Sequence, residues 1–174
     1  MDEFGADPPD RDSYRTPTLA IQFQPHPGLL TQTREFVRSF CGTFVRDPDA
    51  VYRLTIAAHE LLENSIKYSS DGTTNMTIEC HTGERKSRIS IRAENRATPE
   101  RVRAVRDAIE TLRDADDPFQ LYCDLIKASV DRNAHSGLGL ARICVEAACA
   151  LDYRVTGDQL AIFAETYVDH GGLE

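Results

Sequence analysis

The chain has 174 residues, of which 41% are hydrophobic and 28% charged, and its formal net charge is −8. This length suffices for one domain with a proper core and is short for two. The acidic balance argues against a nucleic-acid binder, because phosphate backbones are bound by clustered lysine and arginine. No run of 18 apolar residues occurs, so the sequence predicts no membrane span.

The composition of the two ends predicts the domain limits, and the spacing of the cysteines indicates their chemical state. Residues 1–17 are acidic and contain proline, so we expect a flexible tail there, one domain over 18–167 and a second tail at 168–174. The cysteines show neither CxxC nor zinc-like spacing, which favours buried thiols in a reducing, cytoplasmic protein. These are Cys41, Cys80, Cys123, Cys144 and Cys149.

In chain order, the first half predicts one strand and two helices. Alternation predicts a strand at Thr18–Phe23, and helical spacing predicts a helix at Leu29–Phe44. After the sequence Asp-Pro-Asp, Asp49 is a plausible N-cap for a long helix over Ala50–Tyr68. The serines and glycine that follow end this helix.

The second half predicts two strand pairs separated by helices. Strands are expected at Met76–His81 and Arg88–Glu94 with a turn at Gly83, then helices at Pro99–Asp114, capped by Thr98, and at Pro118–Asn133. A glycine turn, a helix over Leu138–Leu151 and a hairpin of Tyr153–Val155 with Leu160–Tyr167 complete the chain. Strands that arrive in pairs predict an α+β sandwich, with helices on one face of a mixed or antiparallel sheet.

The string HELLENSIKY, residues 59–68, combines a polar row with an apolar stripe. At about 100° per residue, Glu60, Asn64 and Lys67 fall within roughly 60° of one another. An acid, a neutral oxygen ligand and a cation in one row suit a magnesium-bound phosphate. A solvated helix face is the alternative interpretation. The residues expected to face the core are Leu54, Ala58, Leu61, Leu62 and Ser65.

A second candidate segment, HSGLGLARI, lies about seventy residues later. Gly137 and Gly139 flank Leu138 immediately before an apolar helix, where free backbone N–H groups and the helix dipole favour anions. Ser136 could cap that helix or contact phosphate. A tight turn that uses glycine only for its positive φ is the alternative.

Together, these two segments resemble the N box and the second glycine box of the GHKL ATPase superfamily, the histidine kinase-like ATPases. The resemblance covers roughly residues 18–167 and implies a Bergerat-type fold that binds ATP and Mg²⁺. It implies that Asn64 holds Mg²⁺, that Glu60 is the general base, and that Lys67 and Tyr68 lie near the nucleotide. The backbone from Gly137 to Leu140 would face the phosphates.

The first glycine box of that family has no clear counterpart here. Residues 93–99 read AENRATP, without glycine, and Asn95 is expected at the adenine-reading position. An amide lacks the charge that strengthens such a hydrogen bond. Residues 98–134 would form a helical lid insert that either closes on nucleotide or fills the pocket permanently.

Within that superfamily, the chain is most similar to anti-sigma-factor kinases, because it is small and has an acid at position 60. That likeness implies an enzyme that phosphorylates a serine or threonine of a small regulatory partner, such as a STAS-like antagonist or a sigma factor. A nucleotide-independent pseudokinase that serves as an interaction module is the first alternative. A histidine phosphotransfer protein that uses His59 on a dimeric scaffold is the second. The sequence leaves the partner, the target residue and the oligomeric state open, homodimers included.

Overall fold

The computed structural model describes residues 16–24, 26–83, 85–129 and 137–169. The first half contains strand β1 (Thr18–Phe23), a short 3-10 turn (Pro27–Leu29), helices α1 (Leu30–Phe44) and α2 (Pro48–Tyr68), and strands β2 (Thr74–Thr82) and β3 (Lys86–Arg96). The second half contains helices α3 (Pro99–Asp114), α4 (Pro118–Ser129) and α5 (Leu138–Val145), and strands β4 (Ala150–Thr156) and β5 (Gln159–Asp169).

The described strands form one sheet in the order β1-β2-β3-β5-β4, and all neighbours in it are antiparallel. The helices lie on one face of this sheet, with α2 over β2 and β3 and with α3 and α5 against β4. The predicted α+β sandwich is therefore confirmed, in its antiparallel form. Strand β5 runs to Asp169, two residues beyond the predicted end of the domain.

Alternation along β3 explains why only one face of the sheet is covered. Ile89, Ile91 and Ala93 are fully buried beneath the helices, whereas Arg88 and Arg92 point to the opposite, exposed face. A strand with this two-residue period can bury one side only. The helices supply the matching apolar side chains, and each buried leucine of α2 contributes roughly 1.5–3 kcal/mol.

The beginnings of two helices test the capping predictions. Helix α2 begins at Pro48, and its N-cap is Asp47, whose Oδ1 accepts from the N–H of Asp49 at 2.9 Å. The prediction that Asp49 is the cap was wrong, because both aspartates suit that position and the proline at the first helical position selects the earlier one. Thr98 caps α3 as predicted, accepting from the N–H of Arg101 at 3.3 Å.

Helix α5 is shorter than predicted. It ends at Val145, and β4 already begins at Ala150, so the expected helix up to Leu151 was wrong. The chain turns out of the helix through Ala148, which has φ of 52°. The N–H of Cys149 reaches back to the carbonyl of Ile143 at 3.2 Å and closes the end of the helix.

Two further findings concern the helices and the thiols. None of the described helices combines enough length and apolarity to cross a membrane. All five cysteines are free; Cys41, Cys80 and Cys149 are buried as predicted, whereas Cys123 and Cys144 are only half-buried.

Candidate functional site

Helix α2 carries the polar row of Glu60, Asn64 and Lys67 along the side where it meets the neighbouring helices. The predicted apolar stripe is buried in the core, and Glu60 is itself only 7% exposed. Asn64 is half-buried and Lys67 is exposed. The ammonium of Lys67 lies 5.1 Å from the ring centroid of Tyr68, at the end of the helix.

The structure brings the two candidate segments into direct contact. A Cβ atom at Gly139 would lie 2.8 Å from Oε2 of Glu60 and 3.4 Å from Nδ2 of Asn64. Only a residue without a side chain allows α5 to approach α2 so closely. The glycine at this position therefore serves the packing of two helices over the polar row.

The turn before α5 explains the other glycine. Gly137 is the N-cap of α5 and has φ of 99°, a left-handed conformation that favours glycine. Leu138 packs against the core, and Leu140 is buried. The predicted site residue Ser136 lies outside the described residues.

Arg142 forms an ion pair with the carboxylate of Glu60. Its Nη1 donates to Oε1 of Glu60 at 2.9 Å, and its Nε donates to Oε2 of Glu146 at 2.8 Å. The hydroxyl of Tyr122 in α4 donates to Glu146 as well. One guanidinium thus links α5 to α2 and, through Glu146, to α4.

Burial and hydrogen bonding shift the pKa values of this network in different directions. Burial raises the pKa of Glu60 above its ordinary value, against the opposing effect of Arg142. Hydrogen bonds from Tyr122 and Arg142 lower the pKa of Glu146. Burial and the bond to Glu146 raise the pKa of Tyr122 to about 12. Glu60 is therefore a buried acid with a raised pKa beside an arginine, whereas the more exposed Glu146 has a lowered pKa.

Helix α3 covers the crevice between Asn64 and the glycine turn. The cavity that remains there measures about 20 Å³ and is lined by Asn64, Arg101, Ala104, Val105, Ala108, Gly137, Gly139 and Leu140. A cavity of this size has room for about one water molecule. The side chain of Arg101 extends from α3 to the ring of Tyr68, 3.1 Å from the centroid. The first turn of the insert therefore lies where the resemblance expects nucleotide.

Asn95 does not reach this crevice. It is buried near the end of β3, and its Nδ2 donates to the carbonyl of Arg96 at 2.9 Å. Neither Asn95 nor Lys67 is among the described residues that line the cavity. The predicted site residues are thus divided between a tight cluster at Asn64 and Gly139 and two more distant positions.

The fit of Mg·ATP can be judged from the same geometry. Ligand pockets of small molecules typically measure about 300–1,000 Å³, far more than the crevice at Asn64 offers. Among the described residues, no group of three or more histidine, cysteine, aspartate or glutamate side chains could hold a metal ion. In this arrangement of α3 the crevice is therefore smaller than a typical nucleotide pocket, and the binding of ATP and the assignment of Asn64 to Mg²⁺ stay predictions.

The crevice also contains a buried polar atom of Asn64. Nδ2 of Asn64 is buried without a hydrogen bond among the described residues. A buried amide that makes no hydrogen bond costs about 1–3 kcal/mol, and such groups in native structures often have a functional reason. Asn64 is therefore the member of the row that is least explained by packing.

Sequence reasoning missed Arg101 and Arg142. Arg142 stands within the HSGLGLARI segment, three residues after Gly139, so helical spacing could have placed it beside the polar row of α2. Arg101 gave no such signal, because its contact with Tyr68 depends on how the insert folds back over α2.

Comparison with solved structures identifies a similar fold. A chain of the crystal structure of the SiaB–SiaC complex from Pseudomonas aeruginosa superposes with a TM-score of 0.63 at 13% identity. The match covers 88% of this chain and 92% of that chain. At such low identity the likeness shows the fold alone. No protein-family model matches the sequence, and no curated protein matches it either.

Proposed function

We propose that this protein is a regulator that acts by binding a small protein partner. It binds this partner without nucleotide, in the conformation in which α3 closes the crevice. The closed crevice between α2, α3 and α5, about 20 Å³ in volume, is the observation that carries this proposal. An enzyme site must admit its substrate, whereas an interaction module does not need this cleft to be open. The partner class implied by the resemblance to anti-sigma-factor kinases is a STAS-like antagonist or a sigma factor.

The structural likeness adds support of a coarser kind. The similar chain comes from a structure of two proteins in complex, so a related fold does take part in protein–protein assembly. The state of Glu60 agrees with this interpretation, since Arg142 already occupies one of its carboxylate oxygens. A general base would need that oxygen, or its neighbour, to face an incoming hydroxyl.

Serine/threonine kinase activity of the anti-sigma type is the second candidate, and Asn64 favours it. Its amide nitrogen is buried, has no hydrogen-bond partner among the residues that the structure describes, and lies beside a glycine turn and a buried carboxylate. These are the residues that a magnesium-bound triphosphate would require. For Mg·ATP to enter, α3 would have to leave Asn64 and Gly137, and Arg101 would have to leave Tyr68.

The histidine phosphotransfer alternative has weaker support. Nδ1 of His59 is buried and the side chain is half-buried, so Nε2 is the only ring nitrogen left to accept a phosphoryl group.

Two measurements on the full chain test the proposal. Titration calorimetry with ATP and Mg²⁺ should give no binding heat up to millimolar nucleotide. A small protein co-purified from the expressing cells, then produced recombinantly, should form a stable complex on size exclusion in the presence of EDTA. A complex that forms only with ATP, or an ATP Kd below about 100 μM, would overturn the proposal.

The second candidate makes a different prediction for the same proteins. It requires phosphate on a serine or threonine of the partner, detected by mass spectrometry after incubation with Mg·ATP. Glu60→Ala should then abolish transfer and spare nucleotide binding, whereas Asn64→Ala should abolish both. Transfer that persists in the Glu60→Ala variant would remove Glu60 from this role.

A further inference from the structure

A groove lies on the other side of Glu60 from the closed crevice. It runs between α1 and α2 and reaches Arg142 in α5, and its volume is about 380 Å³. This is within the size range of binding pockets in proteins. Glu60 and Arg142 both line the groove, so their ion pair forms part of its wall.

The rim of the groove on α1 carries positive charge that is largely unpaired within the described part of the protein. Arg34 and Arg38 are four residues apart and therefore lie on the same side of α1. Arg34 meets only Glu35, at 3.9 Å between exposed side chains, a contact that contributes little. Arg38 has no ion pair within the described ranges. The chain as a whole has a net charge of −8, so these two arginines give the rim a charge opposite to that of the whole chain.

The α2 side of the groove carries two further unexplained groups. Tyr52 is 67% exposed although it is a large aromatic residue, and exposed tyrosines beside arginines are typical of protein interfaces. The ring of His59 lines the groove, and its Nδ1 is buried without a hydrogen-bond partner in the described part of the chain. Both groups lie on the side of α2 that faces the two arginines.

We infer that this groove is the docking site for an acidic peptide segment of the protein partner, which deepens the function proposed above and rests on it. An aspartate or glutamate of the segment pairs with Arg34 and Arg38, and an apolar side chain covers the ring of Tyr52. A carboxylate fits better than a phosphate dianion, because Glu35 and Glu60 also line the groove and repel a doubly charged group. The arginines at the rim steer the segment and set its orientation.

Phage display with a randomised ten-residue library, selected on the full-length protein, tests the inference. Acid-rich peptides should be enriched, and their synthetic forms should bind with an affinity that decreases as salt is added. Arg38→Glu should weaken binding at least about tenfold, which corresponds to about 1.4 kcal/mol. The matched control, Arg103→Glu in α3, should bind like the wild type, because Arg103 lies outside the groove. Arg38→Ala, with a milder loss, separates a charge effect from a folding defect.

Enrichment of peptides without acidic residues would overturn the inference, and so would equal binding to the Arg38→Glu and Arg103→Glu variants. The partner complex separates this inference from the proposed function. If the partner binds the Arg38→Glu variant as tightly as the wild type, the docking site is wrong and the proposed function stands. If the wild type forms no partner complex, the proposed function fails, and the peptide selection still decides whether the groove binds acidic segments.

Discussion

Arg142 and Glu60 lie 82 residues apart in the sequence and are joined by a 2.9 Å hydrogen bond between helices α5 and α2. The same guanidinium holds Glu146 at 2.8 Å. Glu60 is buried and Glu146 is a third exposed. One cation therefore serves two carboxylates in different surroundings, and this explains why their pKa values shift in opposite directions.

The pH dependence of stability should reveal these opposite shifts. The pKa of Glu60 in the folded protein lies above its ordinary value of 4.5, mainly because of burial. The folded state then binds the proton more tightly, so Glu60 reduces stability as pH rises through and above 4.5. In Glu60→Gln, the free energy of unfolding relative to wild type should therefore increase between about pH 4 and pH 7. Urea unfolding of the variant and the wild type at a series of pH values measures this difference.

Glu146→Gln is the matched control for this experiment, with the opposite sign. The pKa of Glu146 is lowered, so its contribution to stability is present above 4.5 and is lost as pH falls through the lower folded-state value. Relative to wild type, this variant should become less stable as pH rises from about 3 to 5. Curves that change in the same direction for both variants would contradict the opposite pKa shifts of Glu60 and Glu146.

The contact between Gly139 and α2 predicts that even alanine, with the smallest side chain, destabilises the protein at this position. In Gly139→Ala, the new Cβ would lie 2.8 Å from Oε2 of Glu60, so a helix or the carboxylate must move. Overpacking of this kind costs about 1–3 kcal/mol, more than the gain of about 1 kcal/mol in helix propensity. Thermal and urea unfolding should show a net loss of stability.

Gly42→Ala is the control, because this glycine also lies in a helix, but a Cβ there meets nothing within 4 Å. It should raise the free energy of unfolding by roughly 0.4–1 kcal/mol. If both substitutions are stabilising, α5 does not press on the polar row as described.

Much of this architecture was predictable from local patterns. The strand alternation in β3 and the helical spacing in α2 each identify an element and the face it buries, which is enough to derive helices on one side of a sheet. The closeness of Asn64 and Gly139 was expected only through the resemblance, because nothing local specifies a contact between segments so far apart in the chain.

Three features escaped prediction for identifiable reasons. The apolar run that contains Ala147 and Leu151 suits a helix or a strand equally, and only the left-handed residue Ala148 ends α5. Two aspartates flank Pro48, and either could have capped α2. The sequence leaves open whether the insert fills the pocket, because the coverage of Asn64 by α3 depends on a tertiary position that no period in its own sequence encodes.

Arg101 is expected to hold α3 closed over the crevice. Its guanidinium lies on the ring of Tyr68, and partial burial there lowers the pKa of Arg101. A cation–π contact of this type contributes about 0.5–2 kcal/mol, so Arg101→Ala should destabilise by that order. Hydrogen exchange should accelerate in the first turns of α3 and at the end of α2.

Arg103→Ala serves as the control for that experiment. Arg103 lies one turn from Glu100, at 3.3 Å, and both side chains are exposed, so its loss should change stability by less than about 0.5 kcal/mol. Equal exchange rates in the two variants would mean that Tyr68 is not the anchor of α3.

Tyr122 ties α4 to the same network. Its hydroxyl donates to Glu146, and Tyr122→Phe removes this bond while the ring stays in the core. Because Glu146 is partly exposed and can be hydrated, the expected cost is about 0.5–1.5 kcal/mol. Hydrogen exchange should increase within α4. In the control Tyr153→Phe, which loses an exposed 3.3 Å bond to Glu110, α4 should be unaffected.

The thiols offer a test that is independent of the site. Burial raises the pKa of Cys41 and of Cys149 to about 12 and that of Cys80 to about 11. Burial also raises the pKa of Cys144. Since the thiolate is the reactive form, a disulfide reagent at pH 8 should modify Cys123 first and the others slowly.

All five thiols should react at once in denaturant, because unfolding restores ordinary pKa values and access. The Cys123→Ser variant should lose the fast phase and keep the slow one. A fast phase that remains in this variant would mean that a second thiol is accessible, and its position would identify the part of the core that opens.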